Sequence, residues 1–224
     1  MKENSKESDS DLILKINEIF YSIQGESTQA GRPCIFIRLT HCNLRCSYCD
    51  TQYAFFEGKE MTLSQILQDI RKYPCQLVEI TGGEPLIQKN VLVLMRLLCD
   101  KEYEVMIETA GHLDISIIDS RVKRIMDIKC PSSGESAKNH WSNIDHLQPG
   151  DEVKFVAGTE TDLEWAKKII EKYDLCNRCT VMFSPVFGKM NNRYLAEWVL
   201  QSGLPIRIQV QLHKIIWEPD TRGV

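Results

Sequence analysis

The sequence has no apolar run near the roughly 20 residues that a membrane-spanning helix needs. Its polar N-terminus lacks the apolar core of a signal peptide. The expectation is a cytoplasmic protein with no membrane partner. Charge of one sign is missing too. Lys and Arg total 27 against 31 Asp and Glu, a net −4, so the electrostatic footprint of a nucleic-acid binder is absent. No repeat of about 20–50 residues is evident. Nine cysteines is many, yet no disulfide framework is expected, and the odd count adds slightly to that view. In a reducing compartment they read as thiols or metal ligands. With 224 residues, the chain fits one domain over residues 12–224, after a polar, disordered extension at 1–11.

Three cysteines lie within eight residues, Cys42, Cys46 and Cys49, at the spacing C-x3-C-x2-C. One loop at this spacing can aim three sulfurs at a single centre. Structural zinc and ferredoxin-type clusters normally take four protein ligands, and no fourth cysteine is nearby. A [4Fe–4S] cluster held by three thiolates leaves one iron open to a small molecule. The competing reading is a closed zinc site, and a non-catalytic zinc module, in which the adjacent His41 folds back as fourth ligand. Cys176 and Cys179 have no further paired ligands around them, and Cys34, Cys75, Cys99 and Cys130 read as packed thiols.

Around this loop, short β-rich runs alternate with helical patterns or loops. Strands are predicted at Leu12 to Phe20, Cys34 to Thr40, Leu77 to Thr81, Glu104 to Glu108, Arg124 to Lys129, Asp151 to Ala157, Thr180 to Ser184 and Ile206 to Leu212. Thr62 to Gln65 reads as a capping box opening a helix. A second capped start is predicted at Thr161 to Glu164, and Asn192 to Ser202 is helical with Gly203 as its stop. Residues 130–150 show no clear period. The alternation predicts an α/β fold of parallel βα units, with polar and glycine-rich motifs at the strand ends where such folds place their sites. Arg38 lies inside an apolar strand and needs an anionic or acceptor partner.

Thr81-Gly82-Gly83-Glu84-Pro85 closes the next strand, and its two glycines permit close backbone approach. The cysteine loop, with Tyr48 just before its last cysteine, and this motif together resemble the radical SAM superfamily. In that superfamily the open iron chelates S-adenosyl-L-methionine (SAM). The resemblance narrows with Tyr21 to Glu26, Gly31-Arg32-Pro33, Arg38-Leu39-Thr40, Asp50-Thr51, Ser184-Pro185 and Gln211 to Lys214. Over residues 21–214 the chain is similar to the 7-carboxy-7-deazaguanine synthase family.

That resemblance implies a partial (β/α)6-type radical SAM barrel with trimmed helices. It implies conversion of 6-carboxy-5,6,7,8-tetrahydropterin to 7-carboxy-7-deazaguanine with loss of ammonia, on the route to queuosine and related 7-deazapurines. SAM, a [4Fe–4S] cluster and Mg2+ are the implied cofactors. An electron donor such as flavodoxin or ferredoxin and a second copy of the chain are the implied partners. Carried onto this sequence, Cys42, Cys46 and Cys49 hold the cluster, and Thr51 gives its hydroxyl to Mg2+. Ile23, Gln24, Gly25, Glu26, Arg38, Thr81, His213 and the Val224 carboxylate bind the pterin. Tyr48, Cys49, Asp50, Gly83, Glu84 and the turn Cys130-Pro131-Ser132 line the SAM site. A different radical SAM enzyme, such as a glycyl-radical activase, shares the loop but does not need Gln24, Arg38 or His213.

Overall fold

A computed structural model describes residues 9–224. Among these residues nine strands form one sheet: β1 (Ile13–Ile23), β2 (Pro33–Leu39), β3 (Lys59–Thr62), β4 (Leu77–Gly82), β5 (Glu104–Thr109), β6 (Lys123–Asp127), β7 (Glu152–Ala157), β8 (Thr180–Pro185) and β9 (Arg207–Ile208). Their spatial order is β3-β1-β2-β4-β5-β6-β7-β8-β9. From β2 to β9 every neighbouring pair is parallel, the arrangement expected of a partial radical SAM barrel. The expected parallel alternation fails at the N-terminal edge. There β1 runs antiparallel to both β2 and β3; residues 24–32, which join β1 to β2, are too few for a parallel crossover.

β2 and β4–β8 alternate strictly, whereas in β1 an irregularity between Ile16 and Glu18 moves Phe20 to the face opposite Leu14 and Ile16. Ile35, Ile37, Val78, Ile80, Val105, Ile107, Val153, Phe155, Val181 and Phe183 face an apolar layer with the helices. The residues between them, including Arg38, Glu79, Thr81, Glu108, Asp127 and Lys154, face the concave side. Period-two geometry therefore puts oil on one face and charge on the other. A smaller cluster of Phe20, Cys34, Phe36, Leu77, Met106 and Ile125 plugs one end of the concave side, with the Phe20 and Phe36 rings stacked 4.8 Å apart.

Among the described residues, α1 (Leu63–Ile70), α2 (Val91–Asp100), α3 (Glu160–Tyr173) and, after the short α4 (Leu175–Arg178), α5 (Asn192–Ser202) pack on the outer face; the short α6 (His213–Ile216) follows. The predicted capping box forms at Thr62 and Gln65, and α1 then buries Leu63, Ile66, Leu67 and Ile70. α3 is capped two residues earlier than predicted. Thr159 pairs with Asp162, because that carboxylate also gathers the backbone N–H groups of Ser132, Gly158 and Thr159. α5 ends at Gly203 in the left-handed region, φ 68°, as expected.

Two further expectations are corrected. The strand predicted over Ile206 to Leu212 pairs only at Arg207–Ile208. Beyond it, Gln209 turns inward, accepting from Ser27 N and donating to Ser184 and Glu26. Asp9–Asp11, assigned to the N-terminal extension, form a 3-10 turn, and Asp9 pairs with Arg96 at 2.6 Å. Residues 1–8 of that extension lie outside the described residues. β5 and β6 are joined without an α-helix, and residues 130–150 form three 3-10 turns, consistent with trimmed helices.

Arg124 and Asp151 tie this helix-poor stretch to the sheet. Both side chains are buried, 3.1 Å apart, and Arg124 also donates to the carbonyls of His146 and Ile118. Removing one partner strands a buried charge, at a cost of about 3–5 kcal/mol. Asp151→Ala is therefore expected to lower the urea midpoint of the purified chain by that amount divided by its m-value. An unchanged midpoint would show that the pair carries none of the stability.

Candidate active site

The C-terminal ends of the parallel strands open into a cavity of about 770 Å³. It falls within the range of small-molecule sites. The cysteine loop leaves β2 and forms one wall, where Cys42, Cys46 and Cys49 all line the cavity. The loop is held from behind. Ser47 donates its N–H to Ser133 O and its hydroxyl to Ser132 O, Arg45 N donates to Glu135, and Tyr48 OH donates to Val156 O at 3.3 Å. Burial pushes all three thiols up, and the Lys129 ammonium partly opposes this.

The donor set suits an iron–sulfur cluster. Three soft ligands from one loop face one space, and Leu44 N–H points at Cys42 Sγ at 3.4 Å. His41 does not complete a zinc set. Its side chain is exposed and outside the cavity lining, on a backbone held at φ 82°. Among the described residues, no group of three His, Cys, Asp or Glu side chains is arranged to hold a single ion.

The glycine pair is required by chain packing. A Cβ on Gly83 would sit 2.1 Å from His41 O, and one on Gly82 would sit 2.2 Å from Leu39 O. The β4 turn is therefore pressed directly against the root of the cysteine loop. Glu84, expected at the SAM ammonium, is not there. It is wholly buried and does not line the cavity; its carboxylate accepts from Leu86 N, Thr109 Oγ1 and Ala110 N. It braces the ends of β4 and β5. The turn Cys130-Pro131-Ser132 is likewise outside the lining. Ser132 spends its N–H and hydroxyl on Asp162, and the buried Cys130 thiol is pushed far up by its apolar surroundings.

The remaining expected residues converge. Ile23, Gln24, Gly25, Glu26, Arg38, Tyr48, Asp50, Thr51, Thr81, Gly83, His213 and Val224 all line the one cavity. Arg38 pairs across strands with Glu18 at 2.8 Å and lies over Phe20 and Tyr53. A Cβ on Gly25 would fall 2.3 Å from His213 Nδ1, so only glycine lets that ring close over the turn. Thr51 donates to Asp50, which Lys214 holds at 2.6 Å. Burial alone would raise Asp50; Lys214 instead holds it well below the usual carboxylate range. The C-terminal tail reaches the cavity, with Arg222 stacked 3.7 Å over Tyr53 and paired with Glu57.

Sequence reasoning missed the floor. Glu79, Glu108, Asp127, Lys129 and Lys154 all face the cavity from β4–β7 and their ends. Lys154 bonds Glu26 at 2.8 Å and Glu108, and stands 3.5 Å from Asp127. Lys129 pairs with Asp127 at 2.7 Å. Burial would raise Glu26 and Asp127, but the ammonium groups hold both below their ordinary values. The signal was present, since each is a charge inside an apolar strand, as Arg38 is.

Comparison with known proteins agrees with this geometry. The radical SAM superfamily matches residues 36–199. A 7-carboxy-7-deazaguanine synthase from Chlorobaculum tepidum is 46% identical, over 94% of this chain and 97% of that protein. One from Koribacter versatilis is 42% identical, over 94% of this chain and 100% of that protein. The crystal structure of QueE from Escherichia coli superposes with a TM-score of 0.72 at 21% identity, covering 93% of this chain and 99% of that one, a likeness of fold. Thiol wall, glycine turn and sequence kinship converge on one assignment: the chain belongs to the 7-carboxy-7-deazaguanine synthase family of the radical SAM superfamily.

Proposed function

We propose that the chain converts 6-carboxy-5,6,7,8-tetrahydropterin to 7-carboxy-7-deazaguanine and ammonia, in 7-deazapurine biosynthesis. The observation that carries this reading is one cavity with three thiols on its wall and a floor of paired charges. When bound, the cluster, held by Cys42, Cys46 and Cys49, and SAM would supply the radical chemistry of hydrogen abstraction and return. The chain's own residues bind, orient and exclude water.

The division of labour follows from charge. Cys42, Cys46 and Cys49 hold the cluster, and Tyr48, Asp50 and Gly83 flank SAM. Ile23, Gln24 and Gly25 form the turn over the pterin, closed by His213 and by the Val224 carboxylate. Glu26 and Thr81 meet its polar edges, while Arg38 serves an anionic group of the substrate. Thr51 offers a hydroxyl to Mg2+, a hard ion that keeps several waters. A small electron-transfer protein such as flavodoxin or ferredoxin supplies the electron. The enzyme works as a homodimer in the cytoplasm; no helix among the described residues is long and apolar enough to cross a membrane.

Gln24 is fixed by Glu79, to which its amide donates. Burial, then the charges of Glu108 and Glu26, push the Glu79 carboxyl up to about 8. It is therefore protonated at neutral pH, and raising the pH through about 8 adds a negative charge beside the other carboxylates. The expected result is a fall in kcat/KM through that range, absent in Glu79→Gln. A fall of equal size in that variant would assign it to another group.

Anaerobic reconstitution is expected to give a brown protein with about four irons per chain. Assayed with carboxytetrahydropterin, SAM and a reductant, it is expected to yield the ring-contracted product. Cys46→Ala is expected to lose both colour and turnover. Colourless, zinc-loaded protein, or full activity in that variant, would overturn the assignment.

A further inference from the structure

Lys154 is the buried hub of the cavity floor. Its ammonium bonds Glu26, from the turn after β1, and Glu108 of β5, and stands 3.5 Å from Asp127 of β6, its register neighbour. An ammonium has three N–H donors. Glu26 and Glu108 take two of them, and Asp127 Oδ1, 3.5 Å away, is an ion-pair neighbour without a hydrogen bond.

The carboxylates themselves are not exhausted. An ionised carboxylate offers about four lone-pair positions and no donor. Glu26 accepts from Lys154, Gln209 and Gln211. Glu108 accepts from Lys154 and Thr81. That leaves about one position on Glu26 and about two on Glu108, both lining the cavity. Other charges face the group from every side. Arg38 stands on β2 and Glu79 on β4, Lys129 pairs with Asp127, and His213, Lys214 and Asp50 lie near Glu26. Lys154 is the cation that hydrogen-bonds both acceptors.

Resting on the pterin reading above, we propose that Lys154 is a specificity-determining positioning residue, which holds Glu26 and Glu108 as pure acceptors and so selects a 2-amino over a 2-oxo ring. The 2-amino-4-oxo pyrimidine edge of a pterin carries N–H donors that these acceptors can take. The 2-oxo counterpart puts a carbonyl oxygen at that place, against a carboxylate. Without Lys154 the two carboxylates lose the shared donor that holds them side by side, so they no longer meet the 2-amino edge together and the preference for that ring shrinks.

The test compares 6-carboxytetrahydropterin with its 2-oxo analogue, 6-carboxytetrahydrolumazine, on cluster-reconstituted full-length enzyme with SAM. Equilibrium binding of both rings and kcat/KM for the pterin are measured. Lys154→Met is expected to raise KM for the pterin about tenfold or more, leaving SAM affinity unchanged, and to shrink the binding preference at least about tenfold. Glu108→Gln, which keeps Lys154 and adds an amide donor at one acceptor, is expected to shrink the same preference. It answers the question should Lys154→Met not fold. An unchanged preference in Glu108→Gln, or in a folded Lys154→Met, overturns the proposal while leaving the pterin reading intact. Wild-type enzyme that binds neither ring overturns both.

Discussion

A parallel sheet with charges along its concave face has to pair them, and Lys154 is where this pairing concentrates. Its ammonium ties together the turn after β1, the middle of the sheet at β5, and β6. Each carboxylate alone would be costly to bury; around one cation the group is partly neutralised, and its remaining lone pairs face the cavity. The floor of the site is thus also a structural bond between strands distant in sequence.

The opposite wall depends on contact of another kind. Gly82 and Gly83 let the β4 turn press on Leu39 and His41, and this sets where the cysteine loop leaves β2. Glu84 then locks that turn to β5, and the Ser132–Ser133 turn supports the loop from behind through Ser47. The residues expected to touch SAM therefore divide into two groups. Tyr48, Cys49, Asp50 and Gly83 line the cavity, whereas Glu84, Cys130, Pro131 and Ser132 hold the wall in place.

Much of the architecture was legible because its signals are local. The Thr62 cap, the α1 stripe and the Gly203 stop depend on residues a few positions apart. What failed depended on partners far along the chain. Ile206 to Leu212 has strand composition, yet ladder pairing stops at Ile208; Gln209 N–H still donates to Phe183 O, and its side chain bonds Ser27 and Glu26. The α3 cap moved to Thr159 because Asp162 answers to Ser132, thirty residues earlier.

The sequence alone determined the three-thiol cradle, the glycine turn beside it and the family, since spacing within one loop and a run of short motifs are properties of the linear chain. Tertiary structure decided which acids face the cavity. Glu84 and Glu26 look alike as letters, and each accepts from three donors, but Glu84 is wholly buried outside the cavity while Glu26 lines it. The difference lies in which donors folding brings within reach of each carboxylate, and those donors come from strands whose adjacency only the assembled sheet creates.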